Sequence, residues 1–416
     1  MIVEITPAKL SGKVKIPPSK SVAHRLIISA ALAKGTSVIS NIYPSKDIIA
    51  TIEAMKALGA MITLDGDVAT VRGIENPPEK AVIDCNESGS TMRFLIPVAC
   101  ALGVECTFLG SGKLPQRPIT PYLEELPKHG IEFDFSKARD GDTLPCTLKG
   151  KLTAGRFEID GGISSQFITG LIFALTLLDG DSEIALTSHL ESRPYVDITT
   201  DCIKSFGGKI AETETSYFVK GSQKLIACNM ETEGDFSQCA FFKVANCLGS
   251  KIDIQGLNMD SVQGDKKIIE ICEKIVYNKN GELSSFVLDC SDIPDLVPIL
   301  TVLASFCKGI SEITNVARLR IKESDRLEAI SDSLNKLGCK VTAYSDSLVI
   351  EGVESLSGGE VDSYNDHRIA MAMAIACTKC KEPLIIRGAQ CVEKSYPNFW
   401  EDYKALGGII NVINLE

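Results

Sequence analysis

Positively charged side chains recur where the apolar stretches of this sequence begin. Lys20 and Arg25 lie at the start of the first stretch, Arg93 lies at the start of the second, and Arg117 follows in a proline-flanked segment. Further cations of this kind in the second half are Arg318, Arg320, Lys322, Arg326, Arg368 and Lys394. Arginine forks match carboxylate and phosphate geometry, and lysine supplies a compact point charge. The pattern therefore predicts a small, multiply anionic ligand.

Carboxylates lie beside several of these cations. Glu323 falls between Lys322 and Ser324, and for Asp325 and Asp366, each next to a cation, a salt bridge is the favoured interpretation. Asp295 opens an apolar stretch and has no cation adjacent to it in the sequence. Two interpretations stay open for Asp295, a helix N-cap or a general base in a dry cleft.

The apolar stretches are helix candidates, and their spacing indicates a repeat. They start about 60 to 75 residues apart, as expected if one supersecondary unit recurs six times. The six candidates are Ser21–Leu32, Ser90–Ala99, Ser164–Leu175, Asp235–Phe242, Pro294–Leu303 and Asp366–Ile375. All are apolar nearly all round, which predicts burial, and their N-termini are potential anion sites.

A second, amphipathic helix follows most of the first helices and ends at a glycine that can adopt the left-handed C-cap conformation. The segments are Ile52–Gly59, Tyr122–Gly130, Ile198–Gly207, Leu327–Gly338 and Phe399–Gly407. Each glycine precedes a β-rich stretch, for example Ala60–Leu64 or Lys340–Tyr344. The fourth unit is irregular, because after Ile268–Ile275 it lacks the leucine-glycine ending and is shorter.

Six units divide naturally into two lobes of three, with a hinge expected near the polar segment Lys224–Glu233. The length of 416 residues also exceeds one ordinary core. An α/β repeat protein with polar helix caps would explain the serines and aspartates at the helix starts. It would not explain the cations.

Composition excludes several other classes. The net charge of -11 disfavours a nucleic-acid or membrane-surface binder, and no signal peptide or membrane span is visible. The 15 cysteines are odd in number and scattered through apolar runs, so buried thiols in a reducing cytosol are expected. The single Cys-x-x-Cys pair, Cys377 and Cys380, has no second pair to complete a zinc site and is interpreted as structural.

Nine motifs in order resemble those of the 5-enolpyruvylshikimate-3-phosphate synthases and cover nearly the whole chain. They are Lys20–Arg25, Ser88–Arg93, Arg117–Pro118, Ser164–Gln166, Ser192–Tyr195, Ile293–Asp295, Lys322–Arg326, Asn365–Arg368 and Lys394–Pro397. The UDP-N-acetylglucosamine enolpyruvyl transferases share that family's fold but resemble this chain less, because their catalytic-loop cysteine is missing from Gly110–Arg117.

The resemblance implies an α/β fold of two lobes that close on their substrates. Each lobe would contain three βαβαββ repeats around buried parallel helices. The first lobe is expected to span residues 18–226. Residues 1–17 are expected to join residues 227–416 in the second lobe.

The resemblance also implies which residues bind the two substrates, shikimate 3-phosphate and phosphoenolpyruvate. Those matching shikimate 3-phosphate positions are Lys20, Ser21, Arg25, Ser164, Ser165, Gln166, Ser192, Tyr195, Asp295 and Lys322. Those matching phosphoenolpyruvate positions are Lys20, Gly89, Arg117, Gln166, Glu323, Arg326, Arg368 and Lys394. The expected protein is a cytoplasmic monomer of the shikimate pathway to chorismate and aromatic amino acids, with no metal and no organic cofactor.

The implied reaction adds the 5-hydroxyl of shikimate 3-phosphate to C2 of phosphoenolpyruvate and then eliminates phosphate. We assign Asp295 as the base for the hydroxyl and Glu323 with Lys20 as the groups that protonate the methylene carbon. Two departures affect local substrate contacts: Glu87 and Arg318 each stand where relatives carry asparagine. A sister enolpyruvyl transferase and a non-catalytic anion-binding repeat protein are the alternatives.

Overall fold

The structure is a computed structural model that describes residues 1–413, and these divide into two compact units. The N-terminal unit is Pro18–Glu233, and the C-terminal unit combines Met1–Pro17 with the chain from Gly234 onwards. The N-terminal unit ends at Glu233, a few residues beyond residue 226, where the first lobe was expected to end. The reason is that the strand Met230–Glu231 pairs with Ile39 and Ser40 of the N-terminal unit.

The described residues form twelve helices and twenty-two strands. The helices are α1 (Lys20–Leu32), α2 (Lys46–Ala57), α3 (Gly89–Leu102), α4 (Thr120–Glu125), α5 (Ser165–Leu175), α6 (Arg193–Ser205), α7 (Phe236–Cys247), α8 (Lys267–Glu270), α9 (Val297–Ala304), α10 (Arg326–Lys336), α11 (His367–Ala376) and α12 (Phe399–Ala405). The strands are β1 (Ile2–Thr6), β2 (Ser11–Lys15), β3 (Thr36–Ser40), β4 (Met61–Asp65), β5 (Val68–Arg72), β6 (Lys80–Asp84), β7 (Glu105–Leu109), β8 (Ile131–Asp134), β9 (Cys146–Gly150), β10 (Arg156–Ile159), β11 (Ser182–Leu186), β12 (Ile210–Glu212), β13 (Ser216–Val219), β14 (Met230–Glu231), β15 (Lys251–Gln255), β16 (Val287–Asp289), β17 (Ile310–Thr314), β18 (Lys340–Ala343), β19 (Ser347–Glu351), β20 (Gly359–Asp362), β21 (Leu384–Arg387) and β22 (Ile409–Ile413).

One repeat shows how each unit is built. In the second repeat β6 pairs in parallel with β7 across α3, and after α4 the antiparallel strands β8 and β9 return, which gives the sheet order β6-β7-β9-β8. Four other sheets have the same order, and two of them are completed by strands distant in sequence. Strand β14 completes the first repeat, and β1 completes the sixth. The expected βαβαββ repeat is confirmed.

The fourth repeat departs from this plan. Its sheet contains only the parallel pair β2 and β15, without a returning hairpin. Its second helix is the short α8, which continues as a π-helical turn at Ile271–Ile275. The irregularity predicted from the missing leucine-glycine ending is therefore confirmed.

The first helix of each repeat is buried, as predicted from its apolar character. In α3 the buried residues run from Gly89 to Ala101 with one exception, and α7, α9 and α11 pack against one another. Each unit has its own hydrophobic core. Truncating one large core side chain in such a helix lowers the free energy of unfolding by about 2–5 kcal/mol. Packing of this strength holds the starts of the helices in fixed positions.

The second helices end at glycines with positive φ in all five predicted places, namely Gly59, Gly130, Gly207, Gly338 and Gly407. One of these helices is shorter than predicted. The segment Tyr122–Gly130 is α-helical only to Glu125 and continues as a 3-10 turn over Leu126–His129, because Pro127 has no amide hydrogen to donate.

The cysteines are free thiols, twelve of them buried and three half-buried, as the structural interpretation predicts. Cys377 is buried and donates a hydrogen bond to the carbonyl of Ile5 in β1 at 3.4 Å. Within residues 1–413, no helix combines the length and the apolar composition that a bilayer span requires.

Candidate active site

Arg25 is a buried cation in the first repeat. It lies in α1, is 3% exposed, and its Nε donates to the Thr199 hydroxyl at 2.7 Å. Its two terminal nitrogens donate to the carbonyls of Ser21 and Tyr195 at 2.7 and 2.8 Å. Burial lowers the pKa of Arg25 to about 10, so it stays charged at neutral pH. The acceptors of these hydrogen bonds are neutral oxygens, and no carboxylate of the described residues pairs with Arg25.

Arg117 is a second cation of this kind. It is 8% exposed, its buried Nε has no hydrogen-bond partner, and no carboxylate among residues 1–413 forms an ion pair with it. The guanidinium lies against Gly89, where a Cβ atom would come within 2.5 Å of Arg117 Nη1. A side chain at this position would displace the end of Arg117, so Gly89 lets the guanidinium lie directly against the start of α3.

A polar bridge links the starts of α3 and α5. Arg93 Nη1 donates to Gln166 Oε1 at 2.8 Å, and Gln166 Nε2 donates to Ser90 Oγ at 3.0 Å. The hydroxyl of Ser164 caps α5 by accepting the amide of Gln166 at 3.3 Å. The predicted residues Ser164 and Gln166 therefore meet Arg93 at the N-termini of two buried helices, and the buried Ser165 is the first residue of α5.

Lys20 and Ser192 are held by local structure. Lys20 begins α1, and its Nζ lies 2.9 Å from Asp47 Oδ2 in the first turn of α2. Ser192 precedes α6 with a φ of 57°, and its carbonyl accepts the amide of Tyr195 at 3.0 Å. Asp47 had not been singled out in the sequence, where it is one acid among many.

In the C-terminal unit Arg326 binds three carboxylates at once. Its nitrogens lie 2.9 Å from Asp295, 2.7 Å from Glu323 and 2.8 Å from the fully buried Asp366. These anions outweigh burial and raise the pKa of Arg326 above its already high ordinary value. The predicted salt bridge of Asp366 is confirmed, and so is that of Asp325, which pairs with Arg320 at 2.8 Å.

Asp295 corrects the expectation that it stands apart from cations. Its two oxygens lie 2.9 Å from Arg326 and 2.6 Å from Arg368, which also donates to the hydroxyl of Ser237 at 3.1 Å. Burial would raise the pKa of Asp295, but Arg368, Arg326 and Lys322 together hold it well below the usual range. The N-cap interpretation was wrong, because Asp295 lies in a 3-10 turn before α9 and makes no side-chain capping bond.

Lys322 and Lys394 complete the predicted set in this unit. Burial lowers the pKa of Lys322 to about 7, with Arg318 and Arg326 adding to the effect and Asp295 and Glu323 opposing it. Lys394 donates to the carbonyl of Asn365 at 2.9 Å, next to the N-cap of α11. Arg318 donates to the carbonyl of Ser291, which ties its 3-10 turn to the loop leading to Asp295.

The predicted site residues thus form two groups, one in each unit. Asp295, Glu323, Arg326 and Arg368 form one ion-paired cluster, with Lys322 close enough to perturb it. Arg25 with Ser21 and Tyr195, Arg117 with Gly89, and Gln166 with Ser164 form the other group. Thr199 and Ser237 had not been identified, because a neutral hydroxyl in a helix gives no distinctive signal in the sequence.

The chain contains six repeats of one α/β unit, and arginines and carboxylates lie at the starts of their buried helices. These features are typical of a protein that acts on small anions. The family model of EPSP synthase (3-phosphoshikimate 1-carboxyvinyltransferase) matches residues 5–403. The chain belongs to the EPSP synthase family.

Relatives and solved structures agree with this assignment. The chain is 47% identical to a 3-phosphoshikimate 1-carboxyvinyltransferase of Clostridium perfringens, over 98% of this chain and 99% of the relative. It is 48% identical to the enzyme of that name from Clostridium kluyveri, over 98% of each chain. An EPSP synthase structure from Acinetobacter baumannii covers 99% of this chain and is itself fully covered, with a TM-score of 0.82 at 24% identity. This last match shows the enolpyruvyl transferase fold.

Proposed function

We propose that this chain transfers the enolpyruvyl group of phosphoenolpyruvate to the 5-hydroxyl of shikimate 3-phosphate, releasing phosphate. The product, 5-enolpyruvylshikimate 3-phosphate, leads to chorismate and the aromatic amino acids. The membership of the family over nearly the whole chain supports this proposal. The proposed setting is the cytoplasm, and the proposed form is a monomer.

The observation that carries the proposal is the pair of buried arginines without carboxylate partners. Arg25 and Arg117 lie in surroundings from which water is largely removed, and a buried cation without an anionic partner costs free energy unless an anion binds. Shikimate 3-phosphate carries a phosphate and a carboxylate, and so does phosphoenolpyruvate. In the proposal, Arg25 serves the first substrate and Arg117 serves the second.

The other residues divide in the same way. For shikimate 3-phosphate we propose Lys20, Ser21, Arg25, Ser164, Ser165, Gln166, Ser192, Tyr195, Asp295 and Lys322. For phosphoenolpyruvate we propose Lys20, Gly89, Arg117, Gln166, Glu323, Arg326, Arg368 and Lys394. The Arg117 guanidinium lies against Gly89 at the start of α3, which supports placing an anionic group beside both residues.

The ion pairs of the C-terminal unit suggest how acid–base chemistry would be switched on. Arg326 and Arg368 hold Asp295 as a weakly basic carboxylate before substrate binds. An incoming phosphoenolpyruvate anion would compete for the same two arginines. Asp295 would then lose part of its cationic compensation, which raises its basicity where a base is needed.

The proposed reaction runs in two balanced steps. In the addition, Asp295 accepts the proton of the 5-hydroxyl, the oxygen bonds to C2, and C3 gains a proton from Glu323 or Lys20 to become a methyl group. In the elimination, the methyl group returns its proton to Glu323 or Lys20, the double bond re-forms, the bond from C2 to the phosphate oxygen breaks, and the departing phosphate takes up the proton held by Asp295. The cations stabilise the charge on carboxylate and phosphate throughout.

A phosphate-release assay tests the proposal. Phosphate should appear only when both substrates are present, at a rate that added chelator or divalent metal leaves unchanged. Activity with UDP-N-acetylglucosamine in place of shikimate 3-phosphate would indicate the sister reaction. Binding of both anions without any release would indicate an anion-binding protein and contradict the proposal.

A further inference from the structure

A pair of cysteines lies in the irregular fourth repeat, outside the groups described above. Cys247 is the last residue of α7, and Cys272 lies in the π-helical turn that follows α8. The Cys247 Sγ donates to the backbone carbonyl of Cys272 at 3.7 Å, although the two residues are 25 positions apart in the sequence. Each thiol also shifts the pKa of the other, as expected of side chains that lie close together.

The surroundings make the two thiols unequal. Cys247 is half-buried, whereas Cys272 is buried. The hydrogen bond from Cys272 lowers the pKa of Cys247, and the Tyr277 hydroxyl and the Lys243 ammonium act in the same direction against burial. Lys243 lies one turn before Cys247 in α7, where its charge offsets the negative end of the helix dipole. The same hydrogen bond and burial raise the pKa of Cys272.

We propose that Cys247 and Cys272 form a reversible disulfide under peroxide, with Cys247 as the attacking thiol and Cys272 as the resolving thiol. A more exposed, more acidic thiol next to a second thiol is the arrangement that redox-sensitive cysteines use. Hydrogen peroxide is the oxidant. The thiolate of Cys247 attacks one peroxide oxygen and becomes a sulfenic acid while hydroxide leaves. The Cys272 thiol then attacks that sulfur, the S–S bond forms, and water leaves, so two thiols are oxidised and one peroxide is reduced to two waters.

The position of the pair is specific to this repeat. The fourth repeat lacks the returning hairpin of the other five sheets, and its second helix ends in the π-helical turn that carries Cys272. A disulfide here would link the end of the buried helix α7 to this turn. The bond would close a loop of the chain that spans β15 and α8.

The test uses the full-length reduced protein, treated with a small molar excess of hydrogen peroxide, then alkylated and digested without reductant. Mass spectrometry should find one peptide pair joined through Cys247 and Cys272, two hydrogens lighter than the sum of the free peptides, that a dithiol reductant separates. In the Cys272→Ser variant the link should be absent, and a sulfenic-acid probe should label Cys247. Cys100, Cys106 and Cys146 are the internal control, because they neighbour one another but are buried with raised pKa values, and they should stay reduced.

Two results would overturn the proposal. One is that Cys247 and Cys272 are both alkylated after peroxide treatment that oxidises other thiols of the chain. The other is that the Cys272→Ser variant shows no labelling of Cys247, since Cys247 would then not be the attacking thiol. If the Cys272→Ser variant folds poorly, Cys272→Ala serves for the same readout.

Discussion

The arginines of the two units meet opposite electrostatic conditions. In the N-terminal unit Arg25 and Arg117 are buried without a carboxylate partner among the described residues. In the C-terminal unit Arg326 and Arg368 are equally buried but bind Asp295, Glu323 and Asp366. In the proposal, the first arrangement receives anions, and the second holds carboxylates next to the cations that control their basicity. In the proposal, Arg25 and Arg117 only bind anions, whereas the C-terminal unit combines binding of phosphoenolpyruvate by Arg326 and Arg368 with acid–base chemistry by Asp295 and Glu323.

The largest effect is expected from Arg326→Met, because this change leaves three carboxylates without their shared cation. Removing one partner of a buried ion pair costs about 3–5 kcal/mol, so the C-terminal unit should lose stability as well as activity. Trp400 is the single tryptophan and lies in α12 of this unit, so its fluorescence during urea unfolding reports on this unit alone. An unfolding midpoint equal to that of the unchanged protein would show that the ion cluster does not hold the unit together.

Arg117→Met should weaken substrate binding without lowering stability. No carboxylate loses a partner, so the thermal midpoint measured by circular dichroism should stay the same or rise. The KM for phosphoenolpyruvate should increase by about 30-fold to several thousand-fold, the equivalent of about 2–5 kcal/mol for a lost buried charge pair. Arg139→Met is the matched control, since Arg139 is exposed, and it should leave both quantities unchanged. A loss of stability in Arg117→Met with an unchanged KM would contradict the comparison.

The smallest effect concerns the pH dependence of Lys322. Because the pKa of Lys322 is about 7, protonated lysine is lost as the pH rises, and the affinity for shikimate 3-phosphate should fall by up to about tenfold per pH unit above 7. The pH dependence of the free energy of unfolding has the opposite sign. A folded pKa below the unfolded value of about 10.4 means that the unfolded chain binds more protons between the two, so this group's contribution to the unfolding free energy rises with pH in that window.

The control for this prediction is Lys322→Arg, because a guanidinium keeps its charge throughout the range. The variant should bind shikimate 3-phosphate with a flatter pH dependence between pH 7 and 9. An affinity of the unchanged protein that stays constant over this range would show that Lys322 does not titrate there.

Much of the fold could be predicted because its signals are local. Apolar helices, the glycines that end their partners and the shortened fourth repeat are each visible within about ten residues of sequence. The strands that complete the first and sixth repeats could not be predicted in the same way. Strand β14 pairs with a strand almost the full length of a unit away, and β1 pairs with strands near the other end of the chain.

Prediction of the site residues was limited in the same way, by contacts between residues distant in sequence. Its cations were predicted at the helix starts, but the environment of Asp295 was misjudged from its sequence neighbours. The arginines that bind it are 31 and 73 positions away, and only the packing of α9, α10 and α11 brings them together. Asp295 also cannot be treated as a helix cap, so asparagine in its place removes two ion pairs as well as a base and should lower the melting temperature.

The most direct test of this account compares Asp295→Asn with Arg117→Met in single-turnover experiments and in phosphoenolpyruvate binding with shikimate 3-phosphate present. We predict that Asp295→Asn lowers the single-turnover rate by about 100-fold or more. It should bind phosphoenolpyruvate at least as tightly as the unchanged protein. The reason is that the Asp295 carboxylate competes with phosphoenolpyruvate for Arg326 and Arg368, and asparagine carries no charge. Arg117→Met should bind weakly and still react when saturated. Near-normal turnover in Asp295→Asn, or weakened binding in that variant equal to that of Arg117→Met, would contradict the roles proposed for Asp295 in chemistry and Arg117 in binding.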